Sequence, residues 1–228
     1  MKNLLISGIS GNVGKFVYKY APDYGFNVVC GIDKNKFVVM DCPVYSSFDE
    51  VKENIDVLID FSSDRLCRDA ISFAQKNGCA FLTGTTALSR NTILEIGKAA
   101  EDIPACRAAN FSQAMIVMKK LSKIACKLLD NFDCEIIEAH NRNKKDAPSG
   151  TAKVLSSVCR TEKIHSLRGG NIAGLHTLCL LGEGEELTIT HRAYDKSVFA
   201  VGALKAAKIL QAKTNGFFTA EDLLMSDN

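Results

Sequence analysis

The chain opens with a strand that runs directly into a glycine turn, and this junction restricts the possible folds more than any other part of the 228 residues. Leu4 to Ser7 is a short apolar run that leads into Gly8-Ile-Ser-Gly11-Asn-Val-Gly14. A helical pattern through Phe16, Val17 and Tyr20 follows and ends near Pro22, and Asn27 to Asp33 reads as a second strand closing on an acid. In a βαβ unit, glycines at this turn let the backbone approach a pyrophosphate at a helix N-terminus. Asp33 stands nineteen positions beyond Gly14, where a carboxylate can bond ribose hydroxyls. The candidate dinucleotide contacts are Gly8, Ser10, Gly11, Asn12, Val13 and Gly14, with Asp33 and Lys34. Asp33 points to NADH because a carboxylate repels a 2′-phosphate. Lys34 would attract that phosphate, so NADH alone or both NADH and NADPH fit.

Further strands fit at Val57–Phe61, Cys79–Thr83 and Ala105–Ala109, with helices over 64–77 and 90–101, the second capped by Gly84-Thr-Thr-Ala. Alternation of this kind predicts an α/β fold, a Rossmann-like doubly wound parallel sheet with its ligand at the carboxyl ends of the strands. Asp60-Phe-Ser-Ser, Gly84-Thr-Thr and Ala109-Asn-Phe-Ser112 all fall at such ends. The net charge of +2 gives no reason to expect nucleic acid or an anionic membrane as a partner. No apolar run approaches the ~20 residues that span a bilayer, and the N-terminus lacks a signal-peptide layout. The nine cysteines are scattered without a Cys-x-x-Cys pair, which argues for reduced thiols in a cytoplasmic protein, most of them core residues.

The richest segment lies further along. An apolar strand from Cys134 to Ala139 enters a polar loop carrying His140, Arg142, Lys144 and Lys145, then Asp146-Ala-Pro-Ser-Gly-Thr151, and a helical pattern from Ala152. This places a titratable imidazole beside ammonium groups and a turn whose N–H groups and hydroxyls open a helix, a ready anion site. A proton donor next to carboxylate-holding groups is what reduction of an anionic imine requires.

The string Glu138-Ala-His-Asn-Arg-Asn-Lys-Lys-Asp-Ala-Pro-Ser-Gly-Thr-Ala152 resembles the signature of the dihydrodipicolinate reductase family, with Asn141 where that family has a second His. The resemblance implies a cyclic imine dicarboxylate as substrate, on the route to diaminopimelate and lysine. It implies His140 as proton donor, Lys144 as carboxylate-binding partner, Asn141 in contact with substrate, and Ser149, Gly150 and Thr151 holding a carboxylate. It also implies that Phe61, Ser62, Gly84, Thr85, Thr86, Ala109, Asn110 and Phe111 line the nicotinamide half of the cofactor site. Glu138 and Asp146 then orient His140 and the loop.

Ala114 to Asn131 shows Met115, Met118, Leu121, Ile124, Ala125 and Leu128 at helical spacing, an amphipathic helix with its methionines in the core. Ala114-Met-Ile116 stands where the family has Gly-Val-Asn, and Leu175 where it has Glu. Arg168–Cys179 reads as strand with glycine breaks and Glu186–Ala193 as an alternating strand, which with Cys134–Ala139 form the mixed open sheet of a second, α+β domain. By resemblance that sheet pairs subunits into a homotetramer. His176 and His191 fall in strands and read as satisfied structural residues, and His165 reads as surface. No histidine has ligand spacing with acids or cysteines, so no metal is expected. The last helical run, Ala200 to Ala212, returns to the first domain by the same resemblance, with Phe217 to Asn228 capping it. The expected domains are 1–109 with 203–228, binding dinucleotide, and 110–202, binding substrate and mediating assembly.

Two other functional classes compete with a reductase. One is an NAD(P)H-binding sensor, for which Asn141, Ile116 and Leu175 argue and against which His140 and Lys144 argue. The other is a dehydrogenase of different substrate, whose thiohemiacetal route would need a cysteine that the signature loop lacks.

Overall fold

The computed structural model describes residues 1–34 and 40–225; the last three residues of the expected C-terminal cap lie outside them. The chain forms two compact units, residues 1–111 with 199–228, and residues 112–198.

The first unit begins with β1 (Lys2–Ser7), α1 (Gly14–Tyr20), a single 3-10 turn and β2 (Phe26–Ile32). It continues through β3 (Val44–Tyr45), β4 (Val57–Asp60), α2 (Asp64–Asn77), β5 (Ala80–Thr83), α3 (Arg90–Ala99) and β6 (Pro104–Arg107). The central strands β4 and β5 are buried at every position, as expected of a parallel sheet covered on both faces, whereas the edge strand β3 is only half-buried. α2 shows how locally the sequence dictates its helices. Ser63 caps its N-terminus by accepting from Leu66 N–H, Cys67, Ala70, Ile71 and Ala74 fill one face, and Gly78 ends it at φ +63°, a left-handed conformation that favours glycine. α3 is capped by Ser89, not by the Gly84-Thr-Thr-Ala run. Those residues form an ordered loop before the helix, because Asp64 takes Ser89 N–H and the Thr92 hydroxyl and so fixes the helix start.

The second unit contains α4 (Gln113–Leu128), β7 (Asp133–His140), α5 (Gly150–Cys159), β8 (Ile164–Arg168), β9 (Gly174–Leu181) and β10 (Glu186–Ala193). Its sheet has the order β10-β9-β7-β8, with β7 and β8 parallel and the other pairs antiparallel. Side chains alternate between faces along a strand, so Cys134, Ile136, Glu138 and His140 of β7 share one face. The register sets Leu180 opposite Cys134, Leu178 opposite Ile136 and His176 opposite Glu138. That face therefore grades from an apolar end, packed with Met115, Met118, Ala152, Leu155 and Cys159, to a polar one.

α4 differs from the sequence expectation. Met115, Met118 and Ser122 are buried, whereas Leu121, Ile124 and Leu128 are exposed. The apolar residues of this helix cover more than one face, and the stripe running Met115, Met118, Ser122, Cys126 and Leu129, with Ala125 beside it, meets the unit's core. His165, read as surface, lies on β8 and bonds Glu135 at 2.8 Å.

The chain then returns to the first unit through α6 (Ser197–Leu210), β11 (Gly216–Phe218) and α7 (Ala220–Leu224). With β11 the parallel sheet has the order β11-β6-β5-β4-β1-β2-β3. Direction reverses between β1 and β4, the crevice where doubly wound sheets bind ligands. Among the described residues no helix is long and apolar enough to cross a membrane.

Gly202 fixes how α6 packs, since a Cβ there would lie 1.8 Å from the Phe111 carbonyl oxygen. Gly202→Ala should cost about 1–3 kcal/mol through forced backbone displacement, read as a lower urea midpoint. An unchanged midpoint would contradict this packing.

Candidate functional site

In the first unit, the sequence-predicted dinucleotide contacts lie in segments leaving the carboxyl ends of strands, with Gly14 already the first residue of α1. Gly8 to Gly14 follow β1, Asp33 and Lys34 follow β2, Phe61 and Ser62 follow β4, Gly84 to Thr86 follow β5, and Ala109 to Phe111 follow β6. The glycines are needed for closeness. A Cβ on Gly8, at φ +77°, would lie 2.4 Å from the Phe61 carbonyl oxygen, and one on Gly14 would lie 2.1 Å from that of Gly8. Phe61 also packs against Gly84, where a Cβ would meet its ring at 2.0 Å, and edge-on against Phe111 at 6.2 Å between centroids.

The wholly buried Asp60 ties these loops together. Its carboxylate accepts from the hydroxyls of Thr83 at 2.8 Å, Thr85 at 2.7 Å and Ser62, while Thr85 Oγ1 accepts from Ser62 N–H at 2.9 Å. Thr85 thus organises the loop from within, and Thr86 is the exposed threonine. Asp33 accepts both the N–H and the hydroxyl of Ser10, at 3.0 and 2.6 Å, which holds the acid of β2 against the glycine turn. α2, α3, α4 and α5 each carry a serine side-chain cap, whereas α1 has none. An uncapped helix start behind a glycine turn presents N–H donors to an anion. The residues present therefore fit a dinucleotide.

In the second unit, the candidate site is built around the carboxylate of Glu138, which is fully buried. Arg168 donates to it twice, at 3.0 and 2.7 Å, His140 Nδ1 lies 2.5 Å away, and Ser149 N–H donates at 3.2 Å. Burial works to raise the Glu138 pKa, but hydrogen bonds from Arg168, Ser166, His140 and Ser149 outweigh it and hold the carboxyl at about 2. With Nδ1 directed at Glu138, the ring of His140 leaves Nε2 for other chemistry. Gly174 lies beside that atom, and a Cβ there would sit 3.4 Å from Nε2, so the glycine leaves it uncovered. Burial lowers the His140 pKa and the charges of Lys144 and Arg168 lower it further, against the raising effect of Glu138.

The predicted substrate contacts have separate positions. Lys144 Nζ bonds Asp146 at 2.7 Å. Asn141 uses its side-chain carbonyl to accept Asn143 N–H at 3.1 Å, an Asx turn that shapes the loop. Ser149 is buried: its hydroxyl caps α5 through Ala152 N–H and lies 3.2 Å from His176 Nε2. Gly150, exposed, and Thr151, half-buried, form the first turn of α5.

The reading of His176 and His191 as satisfied structural histidines holds at one ring nitrogen of each, since Nε2 of His176 lies 3.2 Å from Ser149 Oγ and Nε2 of His191 lies 3.2 Å from Ser112 Oγ. His176 packs edge-on to His140 at 5.1 Å and lies 6.4 Å from His191, and among the described residues neither Nδ1 has a hydrogen-bond partner. Burial and the neighbouring imidazoles push His176 down to about 4. His191 opposes His176 across β10 and β9, and His176 opposes Glu138 across β9 and β7. Sequence alternation could have put them on a common face, but only the strand register brings them together with Glu138. Arg168, noted in the sequence only as part of a string, is the other residue that sequence reasoning missed.

Comparison with known proteins agrees along the whole chain. The family described as "Dihydrodipicolinate reductase, N-terminus" matches residues 2–111, and "Dihydrodipicolinate reductase, C-terminus" matches residues 114–224. The chain is 40% identical to the 4-hydroxy-tetrahydrodipicolinate reductase of Caldanaerobacter subterraneus subsp. tengcongensis, covering 98% of each protein. It is 32% identical to that of Clostridium novyi, covering 100% of each. Among solved structures, a dipicolinate-bound dihydrodipicolinate reductase from Paenisporosarcina superposes with a TM-score of 0.81 at 20% identity, covering 97% of this chain and 98% of that one. A diaminopimelate dehydrogenase from C. glutamicum shares the fold more distantly, with a TM-score of 0.63 at 13% identity and coverage of 100% and 96%.

The paired pKa shifts give a stability prediction. His176 is lowered from 6.5 to about 4 and Glu138 from 4.5 to about 2, so in both windows the unfolded chain binds more protons than the folded one. Stability should fall as pH drops from about 6.5 to about 4 through His176, and again from about 4.5 to about 2 through Glu138. Urea midpoints measured across this range check it, and His176→Asn should reduce the upper part of the fall, to which the lowered His140 and His191 also contribute. A flat profile above pH 4.5 would contradict a neutral buried His176.

Proposed function

The chain belongs to the dihydrodipicolinate reductase family, and from that premise we propose that His140 and Lys144 carry its reduction of 4-hydroxy-tetrahydrodipicolinate to tetrahydrodipicolinate. The protein is an NAD(P)H-dependent oxidoreductase of lysine and diaminopimelate biosynthesis. The pyridine nucleotide, when bound, supplies the hydride. The chain's own residues hold the dicarboxylate, place a proton donor beside the reduced carbon–nitrogen bond and keep the charges balanced.

Glu138 fixes the imidazole of His140 by taking Nδ1–H, so Nε2 is the atom that delivers the proton. In the free protein burial, and after it the charges of Lys144 and Arg168, disfavour the imidazolium. A bound dicarboxylate reverses that balance, because an anion near the ring stabilises its charged form. The general acid thus becomes competent with substrate present. Lys144, held by Asp146, binds one carboxylate. Ser149 sets the turn, and Gly150 and Thr151 receive the carboxylate at the start of α5. Asn141 contributes its amide N–H2 where the family has an imidazole, so it can donate a hydrogen bond without adding charge. The pairing of Glu138 with both His140 and Arg168 carries this reading.

Both nucleotides serve as cofactor in this proposal, with NADH favoured because Ser10 holds the Asp33 carboxylate where a 2′-phosphate would meet it. The nine free cysteines support a reducing, cytoplasmic location. A homotetramer would form through the outer face of the second sheet, where Thr177 and Thr190 bond at 3.1 Å and Leu167 and Leu181 are exposed.

Three measurements test these assignments. NADH and NADPH oxidation is followed with substrate generated from pyruvate and aspartate semialdehyde by a synthase. His140→Ala should lower kcat about 10²–10⁴-fold, the range for loss of a general acid, and Lys144→Ala should lower kcat and raise KM, with nucleotide binding intact in both. Turnover persisting in His140→Ala would sink the assignment of the acid. In the pH profile, kcat/KM should fall as pH rises through the His140 pKa. Lys144→Met removes a charge that lowers that pKa, so the descending limb should move to higher pH. In sedimentation, wild type should run as a tetramer and Leu181→Lys as a smaller species, while an unchanged mass would move the interface elsewhere.

A further inference from the structure

Three cysteines that the reaction does not use meet at the apolar end of the second unit. Cys126 lies in the last turn of α4, Cys134 near the start of β7, and Cys159 ends α5. Their sulfurs all lie within 4.8 Å of one another, and those of Cys126 and Cys134 are 4.0 Å apart. Their sequence positions, separated by 8 and 25 residues, match no ligand motif, which is why linear spacing did not reveal them. Cys134 lies six residues from His140 along β7, about 20 Å at a strand's rise. The cluster is therefore separate from the site that contains His140.

We propose that Cys126, Cys134 and Cys159 form a three-thiolate site for a thiophilic d10 metal ion, of which Zn(II) is the representative. The geometry is nearly made. Metal–sulfur bonds of about 2.3 Å place the sulfurs of such a site roughly 3.8–4.0 Å apart, and the existing separations of 4.0 to at most 4.8 Å need contraction by less than about 1 Å. The donor set selects the ion, because thiolates without carboxylate or carbonyl partners favour soft metals over magnesium, calcium or manganese. Access is available too, since Cys126 and Cys134 are half-buried and only Cys159 is fully inside. Binding converts three thiols and M²⁺ into [M(S-Cys)₃]⁻ with release of three protons, and a water can complete a tetrahedron. Because three protons leave on binding, metal uptake strengthens as pH rises. The ion would join the ends of α4, β7 and α5 at a single point and so stabilise the second unit.

The test uses full-length protein, reduced and freed of metal by a chelator. Cd(II) is titrated in, the sulfur-to-cadmium charge-transfer absorbance is followed, and X-ray absorption is recorded on the Zn(II) form. The expected result is one equivalent bound with three sulfur neighbours, and a melting temperature raised by Zn(II). Cys126→Ser and Cys134→Ser should each weaken Cd(II) binding at least 10-fold and abolish the thermal shift, and Cys179→Ser, a half-buried thiol on the other face of β9, should change neither. Should Cys159→Ser unfold the core, the two half-buried positions carry the test. Reductase turnover should be unchanged in Cys126→Ser, which separates this site from the catalytic one. Absence of stoichiometric uptake by the reduced protein would overturn the proposal, as would uptake that survives in the Cys126→Ser/Cys134→Ser double variant.

Discussion

A single buried carboxylate, that of Glu138, determines how the second unit is organised. A charge removed from water must be met by opposite charge and hydrogen bonds or it destabilises the fold by several kcal/mol. Here the partners come from three elements. Arg168 reaches from β8, His140 lies two residues along β7, and the backbone of Ser149 approaches from the start of α5. Satisfying that one group therefore fixes the β7–β8 register, the docking of α5 and the orientation of the imidazole together. The second Arg168 nitrogen also bonds the Asp146 carbonyl at 2.6 Å, which extends the same constraint into the loop that carries Lys144.

The first unit uses a related device. Asp60 ends β4 with a buried carboxylate that gathers three hydroxyls, two of which, on Ser62 and Thr85, belong to the loops expected to face a dinucleotide. In both units an acid at the end of a central strand is shielded from water and used to hold loops. The difference is its company. Asp60 is met by neutral hydroxyls, whereas Glu138 is met by a guanidinium and an imidazole, which makes its surroundings responsive to protons.

Much of this was legible in the sequence because it is local. The glycine turn, the acid after the second strand and the alternation of strands and helices depend on neighbours within a few residues, and Asp64–Asn77 and Glu186–Ala193 fall where the pattern placed them. His140, Lys144 and Ser149 were readable through a long, composition-rich string. What was not readable depends on register and packing. His176 joins the site only because β9 pairs with β7 so that it opposes Glu138. Leu121, Ile124 and Leu128 look like core by spacing, yet the sheet covers only one stripe of α4. The convergence of Cys126, Cys134 and Cys159 is a property of three element ends that have no relation in the linear chain.

β7 is paired along both edges, with β8 on one side and β9 on the other. Strands bonded on both sides are among the last parts of a structure to open, so Glu138, paired to both β8 and β9, stands on persistent backbone, and His140 follows at the strand end, still paired to β8. Lys144 and Asn141 lie in a loop shaped by short-range turns. In the proposed mechanism, proton delivery thereby falls to a rigid element and ligand capture to a compliant one. Natural variation should follow the same division, with drift concentrated at loop positions such as 141 and little freedom at the end of β7.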